Sequence, residues 1–233
     1  MGLVPRELHL YENGSYGAIP TTEGMTIMDK IVIAISREFG SGGRLVGELV
    51  AKKLGIQQFD RALIELAAEK SGLSKEFIEK SEDQATSSFL FSLAASAQTP
   101  SGYFMHYDTP VNDKAFFAQS SVIKDLANKG SCVILGRCAG FILREHKQLL
   151  SVMIRADKQD RVNRCREEYG MTERNLEDIV TKRDKARSNY HKYYTGESWH
   201  DVRAYNMVLD TTYMGIDGAV AAIIAAIEAR GKM

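Results

Sequence analysis

Residues 31–44 read IVIAISREFGSGGR, an apolar run that leads directly into a glycine-rich turn. The run 31–35 is continuous and mostly β-branched, which is typical of a strand buried on both faces of a parallel sheet. A helical pattern follows from Leu45 to Leu54, and Gly55 is placed to cap its C-terminus. Strand, glycine loop and helix in this order indicate the start of a βαβ unit.

Four further apolar runs follow, and helical patterns separate them. Strands are predicted at 56–59, 132–135, 149–154 and 207–209. Helices are predicted at about 61–70, capped by Asp60, from Ser74 onward, and at 113–128, 139–144, 158–194 with a break near Gly170, and 216–230. Right-handed crossovers place helices on both faces of a parallel sheet, so this alternation predicts an α/β fold, a three-layer sandwich around five parallel strands.

Two segments stand outside this pattern. Residues 1–29 are interrupted by Pro5, Gly14 and Pro20, which predicts a disordered leader or tag-like segment. Residues 85–107 are rich in Ser, Ala, Gln and Phe, and we interpret them as an irregular or helical insertion. Everything from residue 30 to 233 is expected to form one domain.

Charge and composition exclude some classes of partner. The 30 basic and 30 acidic side chains cancel, so no overall field favours nucleic acid or a membrane surface. No stretch approaches the roughly 20 apolar residues that span a bilayer. Three cysteines without metal-ligand spacing indicate reduced thiols, and we expect a cytoplasmic protein without a metal held by its own side chains.

Ligands of an open parallel sheet bind beyond the carboxyl ends of its strands, and arginines recur there. Arg37 and Arg44 follow the first strand, Arg61 the second and Arg137 the third. Guanidinium groups bind anions with several oxygens, of which phosphate is the commonest. The sequence therefore predicts a phosphate site at this edge.

The glycine turn is the centre of that prediction. Gly40, Gly42 and Gly43 allow backbone N–H groups to converge on an anion at the positive end of the following helix. The alternative is a tight turn without a ligand. The loop can be aligned to the phosphate-binding motif G-x-x-x-x-G-K-[ST] with Gly42 as the second glycine. In that alignment Gly43 stands in place of the lysine, and Arg44 in place of the serine or threonine. Arg44 is then the candidate for the missing charge, and Ser41 or Ser36 for the missing hydroxyl.

The order of the motifs resembles cytidylate kinases from residue 30 to the C-terminus. The segments that carry the resemblance are IAIS with Gly40-Ser41-Gly42, Phe59-Asp60-Arg61, VILGR ending at Arg137, and Arg183-Asp184 with Arg187. The segments SREFGSGGR and GRCA are similar to a cytidylate kinase-like branch of that family.

The resemblance implies a P-loop kinase fold in which an acceptor-side helical insertion lies at about 60–112 and a helical lid at about 157–195. It implies transfer of the γ-phosphoryl group of ATP, with Mg²⁺, to a nucleoside monophosphate such as CMP or dCMP. The donor phosphates would lie at Gly40, Ser41, Gly42, Gly43 and Arg44, the acceptor at Asp60, Arg61 and Arg137, and the catalytic cations would be Arg44, Arg183 and Arg187.

Some positions depart from the family pattern. Cys138 stands where the family often has aspartate, and Arg61 replaces a serine. The position at which the family has a second arginine for the acceptor phosphate falls near Leu66 here. The alternatives are therefore a regulatory nucleotide-binding protein of the same fold, a kinase of a non-nucleotide acceptor, and a nucleic-acid-binding module. The expected partners are small-molecule nucleotides, with a homodimer possible.

Two groups of residues allow a structural and a functional interpretation. The basic stretch around Arg183 and Arg187, with Arg161, Arg164 and Arg166 before it, is either a phosphate-binding lid or a solvated helix face balanced by nearby acids. Aromatic residues near the end of that stretch could stack on a base, although packing is the commoner role; they are Tyr190, Tyr193, Tyr194, Trp199 and His200.

Overall fold

The computed structural model describes residues 30–79 and 111–230. Five parallel strands form one sheet in the order β2-β3-β1-β4-β5, which confirms the predicted architecture. The strands are β1 (Val32–Arg37), β2 (Gln57–Phe59), β3 (Cys132–Leu135), β4 (Leu149–Arg155) and β5 (Met207–Asp210). Because β1 lies at the centre, the loop that follows it is flanked by the loops after β3 and β4.

Helices cover both faces of the sheet, as the crossover rule requires. They are α1 (Gly43–Leu54), α2 (Arg61–Ser71), α3 (Val111–Lys129), α4 (Ala139–Ile142), α5 (Lys158–Glu167), α6 (Leu176–Thr195) and α7 (Thr211–Arg230), with a 3-10 turn at Val202–Ala204. The break predicted near Gly170 is confirmed, since it separates α5 from α6, and α4 is shorter than expected. Helix α7 begins before the predicted start, but non-helical Gly215 (φ 68°, ψ 178°) interrupts it there.

The segment 60–112, predicted to be an acceptor-side insertion, is described only at residues 60–79 and 111–112. Residues 75–79 are helical, and the Phe77 amide donates to the Ser74 hydroxyl at 3.2 Å, which confirms Ser74 as the start. The predicted leader 1–29 and the segment 85–107 lie outside the described residues.

The core has two halves because consecutive residues of β1 point to opposite faces of the sheet. Ile33 and Ile35 pack on the side of α1 and α7, with Ile223 among their neighbours. Val32 and Ala34 pack on the side of α2, α3 and α4. All four β1 residues are almost fully buried, as expected for a central parallel strand.

Helix α7 is long and apolar enough to cross a membrane by length and composition alone, contrary to the expectation from sequence. One such helix is weak support for a membrane segment. Val220, Ile223 and Ile227 are buried against the sheet and α1, so one face of α7 packs in the core.

The glycine loop connects β1 to α1 through two left-handed residues, Gly40 and Gly42, both at φ 79°. At Gly40 a Cβ atom would lie 2.6 Å from the carbonyl oxygen of Arg161, so helix α5 approaches the loop backbone closely. Gly55, the predicted cap of α1, is also left-handed, at φ 63°, but a Cβ there would meet nothing within 4 Å. Conformation alone requires glycine at position 55, whereas conformation and close packing both require it at position 40.

We predict that Ile223→Ala lowers the free energy of unfolding by about 3 kcal/mol, because it leaves a cavity in the core. The adjacent Ile224→Ala, at a half-buried position, should cost only about 1 kcal/mol. Urea denaturation followed by circular dichroism measures both, and equal losses would contradict the packing of α7 described here.

Substitutions at Gly40 and Gly55 form a second matched pair of variants. Gly55→Ala should cost about 1 kcal/mol for the left-handed backbone alone, and Gly40→Ala about 3 kcal/mol because α5 must also move. The same denaturation measurement tests this difference. A Gly40→Ala protein as stable as the Gly55→Ala protein would show that α5 does not pack on the loop.

Candidate phosphate-binding cleft

An open cleft of about 770 Å³ lies at the carboxyl ends of β1, β2 and β3. Every predicted site residue except Ser41 lines it, namely Gly40, Gly42, Gly43, Arg44, Asp60, Arg61, Arg137, Arg183 and Arg187. Arg37, Phe39 and Tyr169 also contribute to its wall. The fold therefore gathers groups that are up to 147 residues apart in the sequence, counted from Gly40 to Arg187.

Helix α1 presents its N-terminus to the cleft. Gly42 occupies the cap position without a side-chain hydrogen bond, and no acidic residue stands in the first turn. The first amides of a helix have no partner within the helix, and its dipole makes that end positive. An anion in the cleft would meet these amides, as the glycine pattern predicted.

Ser41 faces inward and not into the cleft. The residue is completely buried, and its hydroxyl donates to the Glu38 carbonyl at 2.9 Å. Its own carbonyl accepts from the Thr211 hydroxyl at 2.8 Å. The prediction that Ser41 supplies a hydroxyl for magnesium is therefore wrong for this conformation, because that hydroxyl already holds the turn together.

Arg44 and Asp60 form an ion pair at the mouth of the cleft. The Arg44 Nε atom lies 3.3 Å from an Asp60 carboxylate oxygen, and the Arg44 side chain is 60% exposed. Asp60 does not cap α2 with its side chain, contrary to the prediction. The two residues were assigned to opposite substrates, but they lie together, and Arg44 does not turn back over the glycine loop.

Arg164 is the cation that reaches the glycine loop. Its Nη1 atom donates to the Gly40 carbonyl at 2.8 Å, and its Nε atom lies 3.4 Å from Glu168. The Arg164 side chain is only 13% exposed, so the surrounding atoms restrict its conformation. Sequence reasoning placed Arg164 among several basic residues of the lid, and no spacing rule connects helix α5 with a loop over 120 residues earlier.

Helices α5 and α6 are fastened to the same loop by a carboxylate–guanidinium network. The Phe39 amide donates to Asp184 at 2.7 Å, and the Ala156 amide donates to Glu38 at 3.1 Å. Arg161 pairs with both carboxylates, with 3.7 Å from its Nε to Glu38. The three charged side chains are 11–16% exposed, so their mutual attraction is only partly screened.

The lid arginines named from the sequence lie over the loop. The guanidinium of Arg187 donates to the Arg37 carbonyl at 2.9 Å and lies 5.5 Å from the centre of the Phe39 ring. That of Arg183 lies 5.9 Å from the same ring. Both therefore face the cleft, which favours the lid interpretation over a solvated helix face.

Arg137 approaches from the loop after β3. It is 9% exposed, and its Nη1 atom donates to the side-chain carbonyl of fully buried Gln119 at 3.3 Å. Gly136, Arg137 and Cys138 are consecutive left-handed residues, at φ 68°, 56° and 56°. Non-glycine residues rarely adopt this conformation, and such local strain clusters at functional sites.

Tyr169 closes one side of the cleft. Burial raises the pKa of its hydroxyl group, and a hydrogen bond from the Gly42 amide opposes that shift. The hydroxyl thus lies beside the Gly42 amide, and Tyr169 as a whole is 44% exposed. The sequence carried no signal for this contact.

The aromatic residues singled out from the sequence mostly pack. Phe116 stacks on Tyr194 at a centroid distance of 4.0 Å, and both contact Tyr190. Cys138 is buried in this cluster. Within residues 30–79 and 111–230, no group of three or more His, Cys, Asp or Glu side chains could hold a metal ion.

Comparisons with known proteins agree with this architecture. A crystal structure of an uncharacterized protein from Eubacterium ventriosum ATCC 27560 is similar, with 28% identity, a TM-score of 0.65, and coverage of 86% of this chain and 99% of that chain. Shikimate kinase from Acinetobacter baumannii matches with 13% identity, a TM-score of 0.48, and coverage of 87% and 96%. A gluconokinase from Sinorhizobium meliloti 1021 matches with 14% identity, a TM-score of 0.49, and coverage of 85% and 94%.

The two kinases are too distant to carry an assignment of substrate. No curated protein sequence matches significantly. The family model described as the cytidylate kinase-like family, however, matches residues 32–213, which include the glycine loop, the Arg137 turn and helices α5 and α6. The chain has a P-loop kinase fold and belongs to the cytidylate kinase-like family.

Proposed function

We propose that this protein transfers the γ-phosphoryl group of ATP to the phosphate of a nucleoside monophosphate, with CMP and dCMP as the first candidates. One observation carries the proposal. Arg61, Arg137, Arg183 and Arg187, which come from three separate parts of the chain, converge on a cleft at the amide end of α1. Phosphoryl transfer requires this concentration of positive charge, because negative charge is spread over the equatorial oxygens of the migrating group.

The donor phosphates would lie on the glycine loop. The amides at the start of α1 supply hydrogen-bond donors, and Arg164 stands beside Gly40 and Gly42. We assign to Arg164 the positive charge that the P-loop lysine usually supplies. It is held in place by Glu168 and by the Gly40 carbonyl, so little reorganisation is needed when the phosphates bind.

The acceptor phosphate would lie between Arg61 and Arg137. Arg61 is exposed at the start of α2, whereas Arg137 is almost buried and oriented by Gln119. A buried, hydrogen-bonded guanidinium positions an anion more accurately than a mobile one, because its rotamer is already selected. Arg183 and Arg187 would neutralise the charge that develops between the donor and the acceptor.

The residues of the cleft fit Mg²⁺ that is bound mainly by phosphate oxygens and water. Mg²⁺ usually takes only one or two protein carboxylates and keeps several waters. Glu38, Glu48 and Asp60 line the cleft, whereas the buried Ser41 hydroxyl is committed to Glu38. The ion would supply charge neutralisation at the donor phosphates.

No general base is needed for this chemistry, since alignment and charge neutralisation provide most of the rate. Helices α5 and α6 would keep water from competing with the acceptor. Tyr169 must leave the Gly42 amide when the donor phosphates bind, so we expect a small movement of the segment between the two helices.

Two alternatives remain tied to specific observations. The missing lysine and the inward-facing Ser41 favour a nucleotide-binding regulatory protein with little transfer activity. The Arg44–Asp60 ion pair engages a carboxylate that the resemblance assigns to the nucleotide acceptor, which favours an acceptor other than a nucleotide.

The first test is ADP production from Mg-ATP with a panel of nucleoside monophosphates. We expect turnover with CMP or dCMP, and we expect Arg137→Ala to lower kcat/KM about 100-fold, which corresponds to about 2.7 kcal/mol of transition-state stabilisation. Arg166→Ala, an exposed arginine on α5 outside the cleft lining, is the matched control. If the folded protein binds ATP but produces no ADP with any of these nucleoside monophosphates, the result would favour the regulatory protein or the kinase of a non-nucleotide acceptor.

A second test addresses the substitute for the lysine. Arg164→Ala should raise KM for ATP at least about tenfold, because a partly buried cation is lost beside the donor phosphates. Arg166→Ala, two residues further along the same helix, should leave KM within about twofold. Equal effects of the two substitutions on KM would contradict the assignment of Arg164.

A further inference from the structure

Arg37 is the last residue of the central strand β1, and the proposed reaction gives it no role. In the alignment to G-x-x-x-x-G-K-[ST] it stands in place of the first glycine. A long charged side chain therefore starts where the usual phosphate-binding loop has no side chain. Arg37 is half-buried and lines the cleft, so the fold and not the solvent decides where its guanidinium lies.

The stem of Arg37 packs against the start of helix α1. A Cβ atom at Gly43 would lie 2.5 Å from the Cβ of Arg37 and 3.1 Å from its Cγ. Gly43 is not left-handed, so the close approach of its neighbours, and not its backbone conformation, requires glycine there. Glycine at the lysine position of the motif therefore leaves room for the stem of Arg37.

The guanidinium of Arg37 lies against the turn after β3. A Cβ atom at Gly136 would overlap the Nη1 atom of Arg37 and would lie 3.0 Å from its Cζ. Gly136 is left-handed, at φ 68°, so both conformation and close packing require glycine at this position. The Arg37 side chain thus follows a path between two glycines, from α1 to the Arg137 turn.

This path connects the two halves of the cleft. The start of α1, at Gly43, belongs to the part of the cleft assigned to the donor phosphates. Gly136 directly precedes Arg137, which is assigned to the acceptor phosphate. The guanidinium of Arg37 therefore lies where the donor and the acceptor would meet.

Positive charge is concentrated around this guanidinium. Arg37, Arg137 and Arg187 also line a gap of about 30 Å³ beside the cleft, and no acidic side chain of the described residues lines that gap. Like charges at close range repel one another, and an anion among them removes this cost. An apolar side chain of similar length would fill the path between the glycines without it, so packing alone does not account for arginine at position 37.

We propose that Arg37 is a catalytic residue that binds the phosphoryl group while it moves from the donor to the acceptor. The inference rests on the proposed function and adds a residue to it: Arg164 serves the donor, Arg137 the acceptor, and Arg37 the migrating group. A guanidinium donates to two oxygens in one plane, which suits the equatorial oxygens of that group. Its path between two glycines restricts its rotamer before the substrates bind, which limits reorganisation in the transition state.

The kinetic test replaces Arg37 by methionine, which keeps an unbranched stem and removes the charge and the N–H donors. Arg37→Met should lower kcat at least about 100-fold, because the lost interaction is made mainly in the transition state. KM for ATP and for the acceptor should each stay within about threefold, unlike the rise in KM for ATP expected of Arg164→Ala. Arg166→Met, exposed on α5, is the matched control and should leave kcat and both KM values unchanged. A parental kcat in Arg37→Met, or a loss confined to one KM, would overturn the proposal.

A second variant keeps the proposal testable if Arg37→Met does not fold, which thermal melts would show. Arg37→Lys keeps the positive charge and replaces the planar fork by a single ammonium group. It should lower kcat on the order of tenfold, since two oxygens can no longer be bound in one plane. The kcat of the parent protein in a folded Arg37→Lys variant would contradict the role of the guanidinium.

A double-mutant cycle tests the path of the side chain. Gly136→Ala should lower the melting temperature by about 8 °C, because the new methyl group requires a left-handed backbone and collides with Arg37. In an Arg37→Ala background the collision is relieved, and the same substitution should lower it by only about 3 °C. Equal shifts in the two backgrounds would show that the guanidinium does not lie against Gly136, and the proposal would fail.

An equilibrium measurement separates this proposal from the proposed function. Aluminium fluoride mimics the migrating phosphoryl group, so it should tighten binding of Mg-ADP to the full chain at least about tenfold, as measured by calorimetry. Arg37→Met should bind Mg-ADP as the parent does but lose this gain, and Arg166→Met should keep it. The absence of any gain in the parent, or an equal gain in Arg37→Met, would overturn the role of Arg37.

The two outcomes are independent of each other. If no nucleoside monophosphate supports ADP production but the gain depends on Arg37, the assignment of the acceptor fails and Arg37 retains its role. If ADP is produced and Arg37→Met produces it as fast as the parent does, the proposed function stands and the role of Arg37 is refuted.

Discussion

The ion pair between Arg161 and Asp184, together with Glu38, holds the glycine loop against helices α5 and α6. One guanidinium on α5 pairs with a carboxylate on α6 and another on the glycine loop, and the two carboxylates also accept backbone amides of Phe39 and Ala156. Partly buried charges in such a network are mutually dependent, because loss of one leaves its partners uncompensated. This network therefore holds the glycine loop, α5 and α6 in one fixed arrangement.

This arrangement preorganises a concentration of positive charge in a chain whose net charge is zero. Arg137 is held by Gln119, Arg164 by the Gly40 carbonyl and Glu168, and Arg187 by the Arg37 carbonyl. The carbonyl oxygens of Gln119 and Arg37 orient Arg137 and Arg187 without cancelling their charge, whereas Glu168 offsets part of the charge of Arg164. Positioned cations contribute more to a transition state than mobile ones, since they need not reorganise during the reaction.

The two sides of β1 differ in chemistry although they share one strand end. Arg37 faces the cleft with its arginines, whereas Ser36 lines a second cavity, on the other side of β1, together with Tyr205. This division follows from the alternation of side chains along a strand. The left-handed turn after β3 shows the same division, since Arg137 lines the cleft and Cys138 lines the cavity on the other side of β1.

Residues 31–54 indicated the type of fold. A buried β-branched run, a glycine turn and an amphipathic helix allow few arrangements, and the handedness of crossovers then fixes the layers. The same rules placed Arg61 and Arg137 at the correct edge of the sheet, because the ends of parallel strands coincide. Local sequence patterns were sufficient to predict those features of the structure that depend on contacts within one helix or strand, or between adjacent strands.

Tertiary structure alone decided how the charges are paired. Asp60 was expected to cap α2, and instead it binds Arg44; Ser41 was expected to face a ligand, and instead it closes its own turn. Arg164 reaches the glycine loop only because α5 packs against Gly40. The reason is physical: propensity and periodicity report the interactions of a residue with its neighbours in sequence, whereas a long arginine side chain selects its partner from whatever the folded chain brings within reach.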